Sequence, residues 1–257
     1  MRTPLLAANW KMHKTVLESV AYVRELGSLV ESIDGVETVI APPFTALAAA
    51  AEAARNEAIG VAGQNVSFEQ PGAFTGEISA GMLKDAGADY VIVGHSERRR
   101  LFGESDQDVN RKLKAAGAEE LDVIMCVGET LAQREHGETL AVLDRQLQVG
   151  LEHVESSTVA KLVIAYEPVW AIGTGKNATP VEADEAHRHI RARLRQWFGD
   201  DAAEGCRLLY GGSVKPGNIA DLIALPDVDG ALVGGASLDV ATFFEIVKAT
   251  AERGDGG

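Results

Sequence analysis

Eight short apolar runs recur along the chain, each rich in Val, Ile, Leu and Ala and without alternating polar positions. Strands that are buried on both faces have this pattern, because both faces pack against other apolar groups. The runs are LLAAN (5–9), TVIAPP (38–43), IGVAGQ (59–64), YVIVGH (90–95), DVIMCV (122–127), LVIAYE (162–167), RLLYGG (207–212) and GALVGG (230–235). We therefore predict eight buried strands.

Helical periodicity fills the segments between these runs. Two clear examples are SVAYVRELGSLVES (19–32) and VEADEAHRHIRARLRQWF (181–198). The second follows Thr179 and Pro180, a capping residue and a proline at the first helical position. Eight strand–helix units in about 250 residues favour an α/β fold in which parallel strands close into a (β/α)8 barrel. The alternative is an open doubly wound sheet, which usually has about five or six strands.

No linker, low-complexity tract or change in composition divides the chain. We therefore expect one barrel domain over residues 1–257, with a loose tail at 251–257. In such barrels the functional residues lie at the carboxyl ends of the strands. The strand ends are thus where candidate chemistry is expected.

Charge and cysteine content narrow the function classes. The formal net charge is −14 and no basic block offsets it, so we expect no binding to nucleic acid or to anionic membranes. No run of about eighteen apolar residues is present, and the apolar run near the N-terminus is too short for a signal peptide. Cys126 and Cys206 are the only cysteines, which fits a reducing, cytoplasmic location. An anionic ligand would have to be bound by local groups.

The predicted strand ends bring chemically useful residues to one rim. They are Asn9–Lys11, Gln64–Asn65, Gly94–Glu97, Cys126, Glu167, Gly211–Ser213 and Gly234–Gly235. The ring therefore combines the ammonium of Lys11, the imidazole of His95 and the carboxylate of Glu167 with glycine-rich turns. This combination is typical of a site with a base, an electrophile and a backbone cradle for an anion.

Each of these residues also has an ordinary structural explanation. A glutamate at a strand end is usually solvated or paired with an arginine, although the Pro-Val-Trp and Gly-Thr-Gly motifs beside Glu167 favour a function. His95 could cap the turn before the next helix, Lys11 could be a solvated lysine, and the glycines could serve tight turns. Cys126 is interpreted as a buried small hydrophobic residue, since nothing near it in sequence marks a reactive thiolate.

Two motif matches fail on closer inspection. Residues 173–178 fit a dinucleotide-binding pattern, but they begin several residues beyond the strand, and no acidic residue follows at the spacing of a ribose contact. His187 and His189 are two apart on a predicted helix, so they point in different directions and make a poor metal pair. We therefore expect neither a metal nor a cofactor.

Five motifs resemble those of the triosephosphate isomerases, in the same order and at matching intervals. They are AANWKMH, VIVGHSERR, AYEPVWAIGTGK, YGGSV and LVGGASL, and the resemblance covers almost the whole chain. It implies a TIM barrel that interconverts dihydroxyacetone phosphate and D-glyceraldehyde 3-phosphate in glycolysis and gluconeogenesis. The reaction moves a proton between adjacent carbons through an enediol(ate).

The resemblance implies a role for each matching residue. Glu167 of YEPVW corresponds to the family's base, and His95 of GHSER to its electrophile, which the following helix N-terminus keeps neutral. Lys11 of NWK is the cation beside the substrate, Asn9 helps to bind and position it, and Glu97 organises Lys11 and His95. In the family the phosphate rests on backbone N–H groups, which correspond here to Gly173, Ser213, Gly234 and Gly235.

Residues 168–178 resemble the family's lid, whose closure excludes water from the reaction. Its members here are Pro168, Val169, Trp170, Ala171, Ile172, Gly173, Thr174, Gly175, Lys176, Asn177 and Ala178. The first three and the last three correspond to hinges. Asn177 departs from the Thr or Val that is frequent in the family, for which we expect an effect on hinge kinetics at most.

The segment PGAFTGEIS (71–79) resembles the family's protruding interface loop. In the family this loop docks beside the partner's site, so the resemblance implies a homodimer with Thr75 and Asn65 at the interface. The alternative is a loop that folds back onto its own subunit.

Two other functions stay open on the sequence. Another phosphosugar barrel enzyme, such as an epimerase, would share the phosphate-binding turns but should lack the full set NWK, GHSER and YEPVW. A non-catalytic phosphate-binding barrel would have no use for a base opposite an electrophile.

Overall fold

A computed structural model describes residues 2–171 and 178–252 of the chain. The strands in these residues are β1 (Leu5–Asn9), β2 (Glu37–Ala41), β3 (Ile59–Gly63), β4 (Tyr90–Val93), β5 (Asp122–Val127), β6 (Val163–Tyr166), β7 (Arg207–Tyr210) and β8 (Gly230–Val233). All are parallel, and each pairs with its neighbours in sequence, while β8 pairs with β1 to close the barrel. The predicted (β/α)8 barrel is confirmed, and the open sheet is excluded.

Helices surround the barrel. Those in the described residues are α1 (Val16–Val30), α2 (Phe44–Ala54), α3 (Ala80–Asp85), α4 (Ser96–Phe102), α5 (Asp106–Ala118), α6 (Leu131–Glu135), α7 (Thr139–Gly150), α8 (Ser156–Val159), α9 (Pro180–Phe198), α10 (Asp200–Gly205), α11 (Ile219–Ile223) and α12 (Val240–Ala251). Two short 3-10 helices span Val169–Ala171 and Gly235–Leu238. Within residues 2–171 and 178–252, no helix is long and apolar enough to cross a membrane.

The start of α9 agrees with its sequence signals. The Thr179 side chain accepts the backbone N–H of Glu182, and the Glu182 carboxylate accepts the backbone N–H of Thr179, with Pro180 in the first turn. This reciprocal capping box satisfies N–H groups that have no partner inside the helix. The predicted capping residue and first-turn proline are both confirmed.

Six of the eight predicted runs extend one or two residues beyond the observed strand end. The strands stop early because the last residues of those runs form the turns at the rim. Gly94, for example, follows β4 with a φ of 72°. A side chain there would be strained, and its Cβ would lie 2.9 Å from Val109 Cγ2. The apolar runs thus identify the strands correctly, but their last residues belong to the turns that form the site.

Alternate residues of each strand point into the barrel and make an interior core that is separate from the core under the helices. The interior residues are Leu5, Ala7, Val39, Ala41, Ala62, Tyr90, Ile92, Ile124, Cys126, Val163, Ala165, Leu209 and Leu232. Asn9, Glu167 and Gly211 continue the same alternation by one step at the carboxyl ends of β1, β6 and β7, so they also lie on the interior side. Cys126 is fully buried, as predicted, and burial raises the pKa of its thiol.

Candidate active site

A cavity opens at the carboxyl ends of the strands. Its volume is about 390 Å³, near the lower end of the roughly 300–1,000 Å³ that small-molecule sites have. Its described lining residues are Asn9, Lys11, His95, Glu167, Gly211, Gly212, Ser213, Val214, Lys215, Leu232, Gly234, Gly235 and Ala236. Three distant segments therefore bring an ammonium, an imidazole and a carboxylate to one cavity, together with the glycine turns that follow β7 and β8.

His95 lies at the junction of β4 and α4, where it is the N-cap of the helix. Its Nδ1 accepts the backbone N–H of Glu97 at 3.2 Å. A ring nitrogen that accepts a hydrogen bond carries no proton, so the imidazole is neutral with its proton on Nε2. The positive end of the helix dipole favours the same neutral form. Nε2 is thereby left as a donor at the cavity.

Glu167 follows β6 and is 2% exposed. One carboxylate oxygen accepts the backbone N–H of Ser96 at 2.9 Å, and the other accepts the Ser96 hydroxyl at 3.3 Å. The same second oxygen lies 3.1 Å from His95 Nε2. The backbone of Glu167 is fixed by its N–H, which donates to Val127 O at 2.7 Å. The carboxylate therefore rests against the start of α4, directly beside the imidazole.

Lys11 follows β1 in the left-handed region, with a φ of 53°. Its backbone is held from two sides, because its N–H donates to Asn9 Oδ1 at 3.0 Å and its carbonyl accepts from Gln64 Nε2 at 2.8 Å. Its Nζ donates to Glu97 Oε1 at 2.6 Å. Partial burial alone would raise the pKa of Glu97, but the hydrogen bond and charge of Lys11 outweigh it and lower that pKa. The hydrogen bond holds the ammonium at the edge of the cavity.

Glycine backbone forms the part of the cavity wall that lies beside Lys11. A Cβ on Gly235 would meet no atom within 4 Å, and one on Gly234 would lie 3.5 Å from Lys11 Cε. The 3-10 helix that begins at Gly235 ends at Leu238. Backbone N–H groups of glycine turns can approach an anion without obstruction by side chains. This wall, with Lys11 beside it, is suited to a phosphate group.

Glu129 anchors the segment that follows Glu167. It is fully buried, and its carboxylate accepts from Tyr166 OH at 3.1 Å, from Trp170 Nε1 at 2.9 Å and from Arg134 Nη1 at 3.2 Å. Its carbonyl accepts the N–H of Val169 at 3.1 Å. The N-terminal end of the predicted lid is thus bound by the carboxylate and the backbone carbonyl of Glu129. Nothing in the sequence pattern marked this glutamate.

The described residues that were predicted to act in catalysis or to bind the phosphate all line one cavity, whereas the other described residues predicted for the site, including Pro168–Ala171 and Ala178 of the lid, do not. Residues 172–177 of the predicted lid, including Gly173, lie outside the described residues. Glu97 does not line the cavity but contacts Lys11. Thr75 is exposed on its loop, whereas Asn65 is buried and accepts from Lys112 Nζ at 2.7 Å.

Sequence reasoning gave no role to several residues at the site, among them Ser96, Leu232 and Lys215. Ser96 donates to the carboxylate of Glu167. Leu232 contributes an apolar side chain to the cavity lining, and Lys215 is an exposed residue of the same lining. A signal existed for Ser96, which follows His95 inside a motif at a strand end. For Leu232, alternation along β8 identifies an inward-facing position but not contact with a ligand.

Comparison with known proteins agrees with this geometry. A family model for triosephosphate isomerase matches residues 4–250. The triosephosphate isomerase of Pelobacter propionicus is 53% identical over 248 residues, which are 96% of this chain and 99% of that protein. That of Symbiobacterium thermophilum is 54% identical over 98% of both chains. The crystal structure of triosephosphate isomerase from Bartonella henselae matches with a TM-score of 0.87 at 41% identity, covering 96% of this chain and 98% of that one. The chain belongs to the triosephosphate isomerase family.

Proposed function

We propose that this cavity is the site at which the protein interconverts dihydroxyacetone phosphate and D-glyceraldehyde 3-phosphate. The observation that carries the proposal is the placement of a buried carboxylate 3.1 Å from a neutral imidazole that keeps its donor at the cavity. A carbon-bound proton next to a carbonyl is only weakly acidic. It can be removed when a base and a donor to the developing oxyanion act together.

In the proposed mechanism, Glu167 is the base. It takes a proton from C1 of dihydroxyacetone phosphate, and the C–H electron pair forms the C1–C2 double bond of the enediolate, with the negative charge on the C2 oxygen. The C1 hydroxyl proton then passes to the C2 oxygen, and Glu167 returns its proton to C2, so that C1 becomes the aldehyde carbon. To reach the substrate carbons, the Glu167 carboxylate must first release its hydrogen bonds to Ser96. His95 Nε2–H donates to the substrate oxygens as their charge develops, and such an oriented donor contributes about 3–4 kcal/mol. A well-placed base contributes about 10²–10⁴-fold in rate.

Binding of the phosphorylated substrate is assigned to the other side of the cavity. Lys11 supplies the positive charge, Asn9 positions it through the 3.0 Å bond to its N–H, and Glu97 holds the ammonium. The backbone N–H groups of Ser213, Gly234 and Gly235, with Gly173 from the lid, would bind the phosphate. Local donors of this kind attract an anion despite the net charge of −14.

Residues 168–178 are proposed to close over the bound substrate. The described part of this segment supports the idea at one end. Glu129 accepts separate hydrogen bonds from Trp170 and Val169. The lid would therefore move about this anchored N-terminal end. Closure would exclude water and strengthen each charge interaction in the cavity.

We also propose that the protein acts in the cytoplasm as a homodimer. Residues 69–77 are all exposed, which supports an interface loop over one that folds back onto its own subunit. The exposed large apolar residues in the described part of the chain are concentrated between Met12 and Phe102, with only Leu131 and Val181 beyond. The loop itself carries one of these side chains, Phe74, and exposed apolar side chains are typical of a protein–protein interface. Activity of a stable monomer at micromolar concentration equal to that of the native enzyme would contradict the dimer.

A coupled assay tests the reaction directly. The purified protein is given D-glyceraldehyde 3-phosphate, and formation of dihydroxyacetone phosphate is followed with and without a chelator. We expect rapid turnover that the chelator leaves unchanged, because the proposed chemistry uses only side chains and backbone groups. Binding of inorganic phosphate without turnover would instead favour a non-catalytic barrel, and loss of activity that zinc restores would contradict the metal-free mechanism.

A further inference from the structure

The loop between β1 and α1 contains a second lysine in an unusual conformation. Lys14 has a φ of 73°, in the left-handed region. Residues other than glycine rarely adopt this region, because their Cβ crowds the following carbonyl. Thr15 then caps α1. A lysine in this conformation indicates that contacts of its side chain offset the cost of the strained backbone.

The ammonium of Lys14 has three such contacts. It donates to the backbone carbonyl of Leu238 at 2.8 Å, and it lies 4.5 Å from the ring centroid of Tyr22 and 5.3 Å from that of Trp10. Both aromatic residues are buried, and their rings meet edge to face at 4.7 Å. A cation over aromatic faces is attracted by their negative charge, more strongly where water is partly excluded.

Tyr22 binds the next carbonyl along the same segment. Its hydroxyl donates to Ser237 O at 2.7 Å. Ser237 and Leu238 are the last two residues of the 3-10 helix whose first residue, Gly235, lines the cavity. The Ser237 hydroxyl in turn lies 2.7 Å from Gly234 O. The carboxyl end of this short helix is therefore held from α1 and its preceding loop, while the amino end borders the cavity.

We propose that Lys14 is a positioning residue for phosphate recognition, acting together with Tyr22 by fixing the 3-10 helix Gly235–Leu238. Lys14 does not line the cavity, so it acts through the helix and not on the substrate. Its positive charge at the carbonyl end also complements the backbone dipoles that point N–H groups toward the phosphate. The proposal rests on the proposed function, because it takes the phosphate to bind at Gly234 and Gly235.

This role makes a selective prediction about ligand chemistry. The helix would contact only the phosphate end of the substrate, whereas Glu167 and His95 act at the carbons and their oxygens. Loss of Lys14 should therefore weaken binding of phosphate-bearing ligands. It should leave the slow reaction of unphosphorylated glyceraldehyde unchanged, since that substrate has no group for the helix to bind.

The test uses two substitutions at Lys14 that differ in backbone strain. Lys14→Met removes the charge and the donor but keeps a long stem and the strained φ. Lys14→Gly removes the side chain and relieves the strain. We expect both to raise the Ki of inorganic phosphate and the KM for D-glyceraldehyde 3-phosphate about three- to tenfold, with kcat little changed. Tyr22→Phe should act in the same direction, and Lys248→Met, at an exposed position on α12, is the matched control.

Three results would overturn the proposal. The first is an unchanged phosphate Ki in both Lys14 variants. The second is an equal loss of kcat/KM for D-glyceraldehyde 3-phosphate and for glyceraldehyde, which would indicate a general structural defect. The third is wild-type phosphate affinity in Lys14→Gly alone, which would trace the effect of Lys14→Met to strain. If the wild-type protein fails to isomerise the phosphorylated substrate, the proposed function fails, but calorimetric phosphate affinities still test Lys14.

Discussion

The two ends of the barrel interior both carry polar side chains, and they differ in how those side chains are satisfied. At the lower end, the Tyr90 hydroxyl donates to Glu37, and Arg207 donates to Glu37 and to the Tyr90 hydroxyl, the latter at 3.0 Å. These three residues come from the first positions of β2, β4 and β7. Each group finds its partners on another strand.

At the upper end, the polar groups border a cavity of about 390 Å³. His95 has one nitrogen engaged by the backbone of α4 and the other directed toward Glu167 and the cavity. Lys11 donates to Glu97 but also lines the open space. These side chains line the cavity, so a ligand there can form hydrogen bonds with them.

The comparison separates stability from function within one alternating pattern. The period of two along parallel strands brings side chains to both ends of the interior in the same way. A polar cluster that satisfies itself closes the lower end of the core, whereas a cluster that borders a cavity can exchange some of its hydrogen bonds for bonds to a ligand. Substitutions at the two ends should therefore have opposite consequences for turnover and for stability.

Glu167→Gln should have the largest effect on turnover. The amide cannot take a proton from carbon, so kcat should fall on the order of 10³-fold or more while the melting temperature stays close to that of the wild type. The coupled assay and circular dichroism measure the two quantities. Glu37→Gln is the matched change at the lower end and should leave kcat unaltered; a near-normal rate for Glu167→Gln would discard the base assignment.

His95→Asn should lower kcat about 10²-fold with little change in KM. The substitution removes the Nε2 donor that stabilises the developing oxyanion, and this interaction is made mainly in the transition state. Steady-state kinetics over a range of substrate concentrations separates the two parameters. An increase in KM at unchanged kcat would assign His95 to substrate binding.

Arg207→Met should reverse the pattern, lowering stability and sparing turnover. Removal of the guanidinium takes one donor from Glu37 and one from the Tyr90 hydroxyl and leaves the Tyr90–Glu37 hydrogen bond alone, which should cost about 2 kcal/mol in the free energy of unfolding. Urea denaturation at fixed protein concentration measures this, and kcat/KM of the folded enzyme should be unchanged. Arg188→Met removes an arginine whose side chain is 70% exposed and should cost about 0.5 kcal/mol or less. A loss of turnover in Arg207→Met would mean that the two ends are coupled.

The sequence predicted the strands well because burial on both faces leaves a strong local signal. It also predicted the main site residues, since each follows an apolar run and lies within a motif at the rim. It did not identify Glu129 or Lys14. Glu129 is bound by Tyr166 and Trp170, and Lys14 donates to Leu238, so both depend on partners from distant segments. Neither a carboxylate in a loop nor a lysine near a helix start has a pattern that distinguishes it from a solvated residue.

Strand ends were the other systematic error. The run YVIVGH continues through Gly94 and His95, but the positive φ of Gly94 takes the chain out of the sheet. Apolar and small residues fit the turn as well as the strand, so composition cannot show where pairing stops. The structure was needed to separate the last ladder residue from the first residue of the site.

His187 contrasts with both ends of the barrel, because it is expected to affect only the pH dependence of stability. It is completely buried in α9, its Nδ1 lies 2.9 Å from Asp227 O, and its ring meets Tyr166 edge to face at 5.9 Å. Because a carbonyl only accepts, Nδ1 donates and Nε2 is the unprotonated nitrogen, and Nε2 has no partner among the described residues. Burial lowers the pKa of His187 to about 4, despite the opposing bond to Asp227 O.

This lowered pKa makes part of the stability dependent on pH. The unfolded chain binds a proton at His187 below about pH 6.5, whereas the folded chain does so only near pH 4, so the contribution is complete above pH 6.5 and is lost as the pH falls toward 4. Between pH 7 and pH 5, the wild type should therefore lose about 2 kcal/mol more unfolding free energy than His187→Gln. His153→Gln, at a position whose side chain is 84% exposed, should keep the wild-type pH dependence. Parallel pH profiles for wild type and His187→Gln, measured by urea denaturation at one protein concentration, would show that the buried ring takes up its proton as easily as an exposed one.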